Sequence, residues 1–319
     1  MSNQVLSGVM GLCVGDALGV PVEFMDRDAL RRNPVTGMRA YGTYNQPAGT
    51  WSDDTSMTLC LVDSLIKGLD YEDIMAKFLK WYNKAEYTPH RVTFDVGNTT
   101  SIALTRFARG TPPLKCGGKA ERDNGNGSLM RILPIVFYLR SCYGTDFFEV
   151  DEAREIIHNV SALTHAHARS KVACGIYVSC ASCLMERQDL KKSVETGILK
   201  AMDYYRNHPE FSSEVHHYER LTQDGFSNLD ESEIRSTGYV VDTLEAAVWC
   251  LLTTESFRDC VLKAVNLGRD TDTVGAVAGG LAGLYYGYES IPDEWLSVIA
   301  RRDYVEGLCN SLHASLGKI

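Results

Sequence analysis

Residues 266–283 read Asn266-Leu267-Gly268-Arg269-Asp270-Thr271-Asp272-Thr273-Val274-Gly275-Ala276-Val277-Ala278-Gly279-Gly280-Leu281-Ala282-Gly283. An acidic, glycine-containing turn runs into a stretch of small and apolar residues too long for a typical strand, which predicts a buried helix over Thr273–Tyr286. In a regular helix residues 270 and 272 point in different directions. In a turn entering a helix, both carboxylates and the Thr273 hydroxyl can converge on one point, an oxygen set suited to a hard cation such as Mg²⁺ or Mn²⁺.

Outward from this stretch, apolar residues recur at three- and four-residue steps. Helices are expected over Val5–Leu18, Thr55–Gly68, Tyr71–Asn83, Thr99–Arg109, Arg169–Glu186, Lys192–Tyr205, Val240–Thr253, Phe257–Leu267 and Asp293–Leu312. Glycines in the first would let another helix approach closely. Leu129–Leu139 fits a helix or a buried strand, with Pro134 awkward in either. No tight hairpin and no strand–helix alternation occurs, so the chain reads as all-α, one domain over residues 1–319. Polar or glycine-rich loops are expected at Asp26–Ser52, Pro112–Ser128 and Asn207–Thr237, the last the best candidate for a mobile segment over a site.

A second acidic turn, Ser52-Asp53-Asp54-Thr55, precedes the Thr55–Gly68 helix. Capping a helix N-terminus explains one such residue, but four consecutive oxygen-bearing side chains exceed that need. Brought together, the two turns would place four carboxylates in one pocket, costly unless protons or cations attend them. Kept apart, they are solvated caps. Asp16, alone in an apolar helix, is expected to face a polar cavity or pair with a base. Glu23, where that helix ends, could reach a site or only water.

Lys and Arg total 32 against 41 Asp and Glu, a formal charge of −9. That balance argues against a nucleic-acid surface, which needs cations to replace condensed counterions. The opening MSNQVLSGVMGLCVGDALG has no basic residue ahead of its apolar stretch and an aspartate inside it, a poor signal peptide. No other segment approaches the ~20 uninterrupted apolar residues of a membrane span. A cytoplasmic protein with its ten cysteines reduced is expected. Cys180 and Cys183 form a C-x-x-C with no second pair to complete a zinc site. Asp123-Asn124-Gly125-Asn126-Gly127-Ser128-Leu129-Met130-Arg131 combines tight-turn glycines with free N–H groups at an element start, a plausible phosphate cradle that an ordinary turn would also satisfy. His165 and His167, just before a helix, suit a ligand contact or a cap better than zinc.

Taken in order, Gly15-Asp16-Ala17-Leu18-Gly19 with Glu23, Ser52-Asp53-Asp54-Thr55, Asp95-Val96-Gly97-Asn98-Thr99, Gly125-Asn126-Gly127-Ser128-Leu129-Met130-Arg131, Thr164-His165 and Gly268-Arg269-Asp270-Thr271-Asp272-Thr273 resemble the ADP-ribosylglycohydrolase family, that of the dinitrogenase reductase-activating glycohydrolase. The resemblance implies a compact, orthogonally packed all-α domain with two divalent cations, Mg²⁺ or Mn²⁺, in a central cleft. Ser52, Asp53 and Asp54 would form one ligand group and Asp270, Asp272 and Thr273 the other. Ser52 stands where the family often has threonine. Asp16 would lie beside the metals. Gly125, Asn126, Gly127, Ser128 and Met130 would meet the diphosphate, His165 the ribose or phosphate, and Gly238 and Tyr239 the adenosine side. Asp95 and Asn98 match the pair facing the scissile side of the distal ribose in the arginine-directed branch. Asp95, Asp54, Asp270 and Glu23 become the catalytic candidates. The implied activity removes ADP-ribose from protein arginine. Serine-linked ADP-ribose, O-acetyl-ADP-ribose and non-catalytic ADP-ribose binding are the alternatives. An ADP-ribosylated protein or an ADP-ribosyl small molecule is the expected partner, with no nucleic acid, no membrane span and a monomeric state.

Overall fold

The computed structural model describes residues 3–317. Among them the chain forms α1 (Gln4–Gly19), α2 (Arg27–Arg32), α3 (Asp53–Leu65), α4 (Tyr71–Lys84), α5 (Asn98–Ala108), α6 (Pro134–Tyr143) and α7 (Asp151–Ala162). There follow α8 (Ala168–Leu184), α9 (Leu190–Arg206), α10 (Val240–Leu252), α11 (Phe257–Asn266), α12 (Thr271–Tyr286), α13 (Asp293–Leu296) and α14 (Arg302–Leu316). Backbone pairing of the β type is confined to isolated bridges among these residues, so the fold is all-helical. Local chemistry sets many of the starts. The Asn3 side chain accepts from the Leu6 amide to begin α1, Asp70 caps α4, and His167 accepts from the Arg169 amide to begin α8.

Two helices buried nearly all round, α1 and α12, run antiparallel at the centre. Glycines four residues apart on each helix face one another. A Cβ at Gly15 would lie 2.0 Å from the Gly275 carbonyl oxygen, and one at Gly11 would lie 2.4 Å from that of Gly279. Backbones this close leave no room for a methyl group. The Thr271 hydroxyl closes the seam by donating to the Gly19 carbonyl at 2.8 Å. The N-terminus of α12 therefore sits against the C-terminus of α1. The segment Gln4–Val22 is the one helix among the described residues long and apolar enough to cross a membrane; 94% of its most apolar window is buried inside the protein.

Five segments depart from the expected pattern. Leu129–Leu139 splits into a 3₁₀ turn at Leu129–Arg131 and α6, which starts at Pro134, where a missing N–H costs nothing. Asp293–Leu312 is broken into α13 and α14, because Ala300 donates to the Gly49 carbonyl at 3.0 Å and Arg301 turns left-handed at φ 50°. Helix α7 carries Arg154 and His158 on its buried face, which dilutes its apolar periodicity and hides it from sequence reading. Asp26–Ser52 contains α2, and Asn207–Thr237 is no free loop: Phe211, Val215, Tyr218, Leu221 and Phe226 are buried from it.

Candidate active site

Three chain ends meet beside the seam: the exit of α1, the start of α3 and the start of α12. Asp16 joins the first two. Its carboxylate accepts from the Ser52 amide at 2.9 and 3.1 Å, the Thr55 amide at 3.0 Å and the Thr55 hydroxyl at 2.6 Å. The side chain thus caps α3 from another helix; among the described residues it pairs with no base. Burial pushes its pKa up to about 7, against the opposing pull of these hydrogen bonds. With the α3 terminus fixed, Ser52 Oγ donates to Asp54 Oδ2 at 3.0 Å. Thr273 Oγ1, from α12, donates to the same oxygen at 3.4 Å. The two acidic turns therefore share one site.

Asp54 and Asp272 are fully buried, and Asp53 and Glu23 are nearly so. Asp270 is half-buried and stands at the N-terminal boundary of α12, where its side chain makes no capping hydrogen bond. Oxygens of Asp16, Asp54 and Asp272 lie within 4.8 Å of one another, and so do those of Glu23, Asp95 and Asp272. Asp272 belongs to both trios. Burial, then the neighbouring carboxylates, holds Asp53, Asp54 and Asp272 well above the usual carboxylate range. Glu23 is pushed up to about 9, by burial first and by Asp95 next. One oxygen each of Glu23, Asp54, Asp270 and Asp272 is buried with no hydrogen-bond partner. Buried carboxylate oxygens left without donors, converging on two points, are the donor set a hard divalent cation requires. The acidic residues present fit such an ion. The trios also differ from the expected ligand groups. They bring in Asp16, Glu23 and Asp95 and leave out Asp53 and Asp270, while the Ser52 and Thr273 hydroxyls point at Asp54.

A cavity of about 250 Å³ opens above these acids. Glu23, Asp53, Asp95, Asp270 and Thr273 line its acidic side, and Asn98 lies at its edge where α5 begins. Opposite are Gly125, Asn126, Gly127, Met130, His165 and Gly238. The glycine loop is held from two sides. Asn126 N donates to Gly238 O at 3.0 Å and Val240 N to Asn124 O at 3.1 Å. Asn126 Nδ2 donates at 2.9 Å to both Asp270 Oδ2 and Thr243 Oγ1, tying the loop to the acidic floor. Among the described residues the N–H groups of Gly125, Gly127 and Ser128 have no protein acceptor, as an anion cradle requires. Side chains at Gly127 and Gly238 would intrude: a Cβ would lie 2.7 Å from His165 Cε1 and 3.1 Å from Asp270 Oδ2, respectively.

Two expected contacts lie elsewhere. The Ser128 hydroxyl is fully buried and accepts from Ser161 Oγ at 3.0 Å, so only its backbone reaches the loop. The Tyr239 hydroxyl accepts from Arg169 at 3.0 Å and does not line the cavity. Sequence reading missed Phe24 and Arg122, which line the cavity, and Tyr44, whose phenol is pushed up by burial and by Glu23 and Asp95. Phe24 is exposed at φ 65°, and its amide donates to the Arg269 carbonyl at 2.6 Å. An aromatic directly after Glu23, off any helical period, was the available signal. A wider groove of about 740 Å³ is lined by Arg27, Arg31, Arg32, Arg235 and Arg269. Ion pairs of Arg31, Arg235 and Arg269 with Asp28, Glu231, Asp242 and Asp26 occupy much of its charge. Cys180 and Cys183 join neither acidic trio, and both thiols are raised by burial.

Free amide donors on one wall and unpartnered carboxylate oxygens beneath the other make a cleft in a helical protein that could take an anionic ligand and whose acids could hold a metal ion. Comparison with known proteins agrees. The family model for ADP-ribosylglycohydrolase matches residues 1–318. The ADP-ribosylarginine hydrolase Tri1 of Serratia proteamaculans is 32% identical, covering 97% of this chain and 79% of its own. The ADP-ribosyl-[dinitrogen reductase] glycohydrolase of Rhodospirillum rubrum is 31% identical over 92% of this chain and 90% of its own. A solved structure described as an ADP-ribosylglycohydrolase-related protein complex superposes with a TM-score of 0.78 at 30% identity, covering 98% of both chains. The chain belongs to the ADP-ribosylglycohydrolase family and is an ADP-ribosyl glycohydrolase.

Proposed function

We propose that the protein hydrolyses the N-glycosidic bond between ADP-ribose and an arginine side chain of a modified protein, with two divalent cations, Mg²⁺ or Mn²⁺, as cofactors. The observation that carries this reading is the set of buried, unpartnered oxygens on Glu23 and Asp270, which line a cavity whose other wall offers free amides, and on Asp54 and Asp272, fully buried beside them. Asp53, Asp54, Asp270 and Asp272, with the Ser52 and Thr273 hydroxyls, are the residues that would hold the ions; Asp16, Glu23 and Asp95 complete the carboxylate ring. Bound there, divalent cations supply positive charge against the ribose hydroxyls and acidify water.

The protein's own groups do the rest. Amides of Gly125, Gly127 and Ser128 and the His165 ring hold the diphosphate, which directs binding energy from the far end of the ligand into positioning the ribose C1. Asn98 and Met130 border the ribose, and Gly238 leaves the space that a side chain would fill. Asp95 and Glu23, beside the exposed Phe24, form an anionic mouth whose oxygens match the forked donors of a guanidinium. As the C1–N bond breaks, water supplies OH to C1 and a proton to the departing guanidine nitrogen, with the Asp95–Glu23 pair placed to relay that proton. Asp54 and Asp270 are the remaining catalytic candidates, since positive charge growing on the ribosyl ring is tolerated beside carboxylates.

Release of ADP-ribose from arginine-modified protein, with and without EDTA and against a serine-modified control, tests the reading. Metal-dependent release from the arginine substrate is expected. Release from serine alone would overturn the choice of acceptor, and release unaffected by chelation would overturn the cofactor.

A further inference from the structure

Arg131 is fully buried, with its guanidinium carbon 4.7 Å over the ring of Phe78. Among the described residues no carboxylate pairs with it, and its Nε and Nη1 have no hydrogen-bond partner. Only Nη2 is used, donating to Val160 O at 3.2 Å and to Thr164 Oγ1 at 2.8 Å. A buried cation without a counterion is costly. Burial lowers its pKa to about 10, so it stays charged at neutral pH.

A guanidinium has no acceptor. The Thr164 hydroxyl must therefore accept from Arg131, and its own proton remains free to donate. Among the described residues, the acceptor it meets is His165 Nδ1, at 2.8 Å. Burial first, then the Arg131 charge, lowers the His165 pKa to about 3, so the ring is neutral and carries a single proton. With Nδ1 accepting, that proton belongs on Nε2. Nε2 has no partner among the described residues and sits beside the glycine loop, 3.3 Å from where a Cβ on Gly127 would fall and 3.7 Å from one on Gly125.

We infer that Arg131, acting through the Thr164 hydroxyl, is a positioning residue that locks His165 as a neutral Nε2–H donor facing the anionic part of the ligand. The role in binding rests on the reading of the glycine loop as the diphosphate cradle; the tautomer does not. The relay also accounts for the buried cation. Its charge lies behind the loop, where an anion bound in front feels it through little water, and the hydrogen-bond chain transmits direction as well as charge.

The test is an NMR spectrum of the ¹⁵N-histidine-labelled protein at neutral pH, without ligand. His165 is expected to show a bare Nδ1 and a protonated Nε2, unchanged on acidification to the lower limit of folding. An Nδ1–H or doubly protonated ring would overturn the inference. Thr164→Val removes the link and should yield a tautomer mixture, with Kd for ADP-ribose rising about tenfold, the worth of one hydrogen bond to a charged group. Thr164→Ser should restore both. Arg131→Met should likewise mix the tautomers; if it fails to fold, the wild-type spectrum and the Val/Ser pair still decide. A Val variant that keeps the pure Nε2–H form, or a Ser variant that fails to recover it, sinks the relay. A protein that binds no ADP-ribose while showing the expected tautomer would fail the proposed function and leave the relay standing.

Discussion

Replacing Asp272 by Asn should stabilise the chelated protein while abolishing its response to metal. Asp272 sits in both carboxylate trios, within 4.8 Å of its neighbours' oxygens, and its Oδ2 has no donor. At that separation each like-charged pair costs about 3 kcal/mol at an effective dielectric of about 20. Protonation relieves part of this, as the raised pKa of Asp272 records. Asn keeps the acceptor for the Thr273 amide, now 2.9 Å from Oδ1, and turns the orphaned oxygen into a donor toward Asp54 or Glu23. A net gain of about 1–3 kcal/mol follows, or a melting temperature some 2–6 °C higher at roughly 2 °C per kcal/mol for a chain of this size. The opposite sign is the norm for a buried substitution, which loses about 1 kcal/mol. In the wild type, Mn²⁺ at a hundredfold excess over its Kd should add about 2.7 kcal/mol, and the variant should lose most of that gain. Thermal unfolding at pH 7.5 in EDTA and over a Mn²⁺ titration reads both effects. A chelated variant melting several degrees below wild type, or one keeping the full metal shift, would refute the picture of a charge-frustrated cation site.

Asp16→Ala should have the contrary sign although it too removes a buried charge. It orphans the Ser52 and Thr55 amides, each worth about 1–3 kcal/mol, so urea unfolding should show a loss of about 3–5 kcal/mol. Gly127→Ala should leave the melting temperature within a few degrees yet weaken ADP-ribose binding at least about tenfold by calorimetry, because its Cβ would displace the His165 ring. Gly15→Ala drives a methyl group into the Gly275 carbonyl and should cost more than about 3 kcal/mol, seen as insolubility or a collapsed melting transition with no metal response. Finally, Asp16 and Glu23 hold their protons more tightly in the folded protein, at about 7 and about 9, than in the unfolded chain, where ordinary carboxylates titrate at 3.8 and 4.5. The chelated protein should thus be most stable near pH 4 and lose stability steadily toward pH 9. Saturating Mn²⁺ should flatten or reverse that slope in melting curves taken across the range.

What could be read in advance follows from where the information lies. The helices with a clean apolar stripe, and both acidic turns, are local patterns, so their existence was legible. Helix α7 was not, since Arg154 and His158 are buried through tertiary partners that no local window contains. The break before α14 depends on Gly49, far away in sequence, accepting from Ala300. In the site, the carboxylates were legible as excess over capping need, whereas the job of Asp16 was not. It supplies to α3 the cap that local sequence would ordinarily provide, and nothing around residue 16 announces a helix whose capped Ser52 amide lies 36 residues on. Ser128 illustrates the converse. Its motif position suggested a ligand contact, but a hydroxyl's direction is set by the Ser161 and Cys174 packing behind it.

The glycine seam and the acidic floor answer one physical demand. Carboxylates with unpartnered oxygens repel, and a chain free to relax would splay them into water. Here they cannot separate without moving whole helices. Asp272 begins a helix whose backbone lies in contact with α1, through Gly275 against Gly15, and Asp54 begins a helix pinned to α1 through Asp16. Both acids are thus referred to the same central helix, and the repulsion between them is opposed by core packing rather than by local contacts. Stability and chemistry therefore separate by residue. Substitutions in the seam or at Asp16 should lower both together, while substitutions on the floor, Asp272 foremost, should lower activity as they raise the stability of the chelated protein. A floor variant that lost stability and activity in proportion would mean that the carboxylates hold the fold together instead of straining against it.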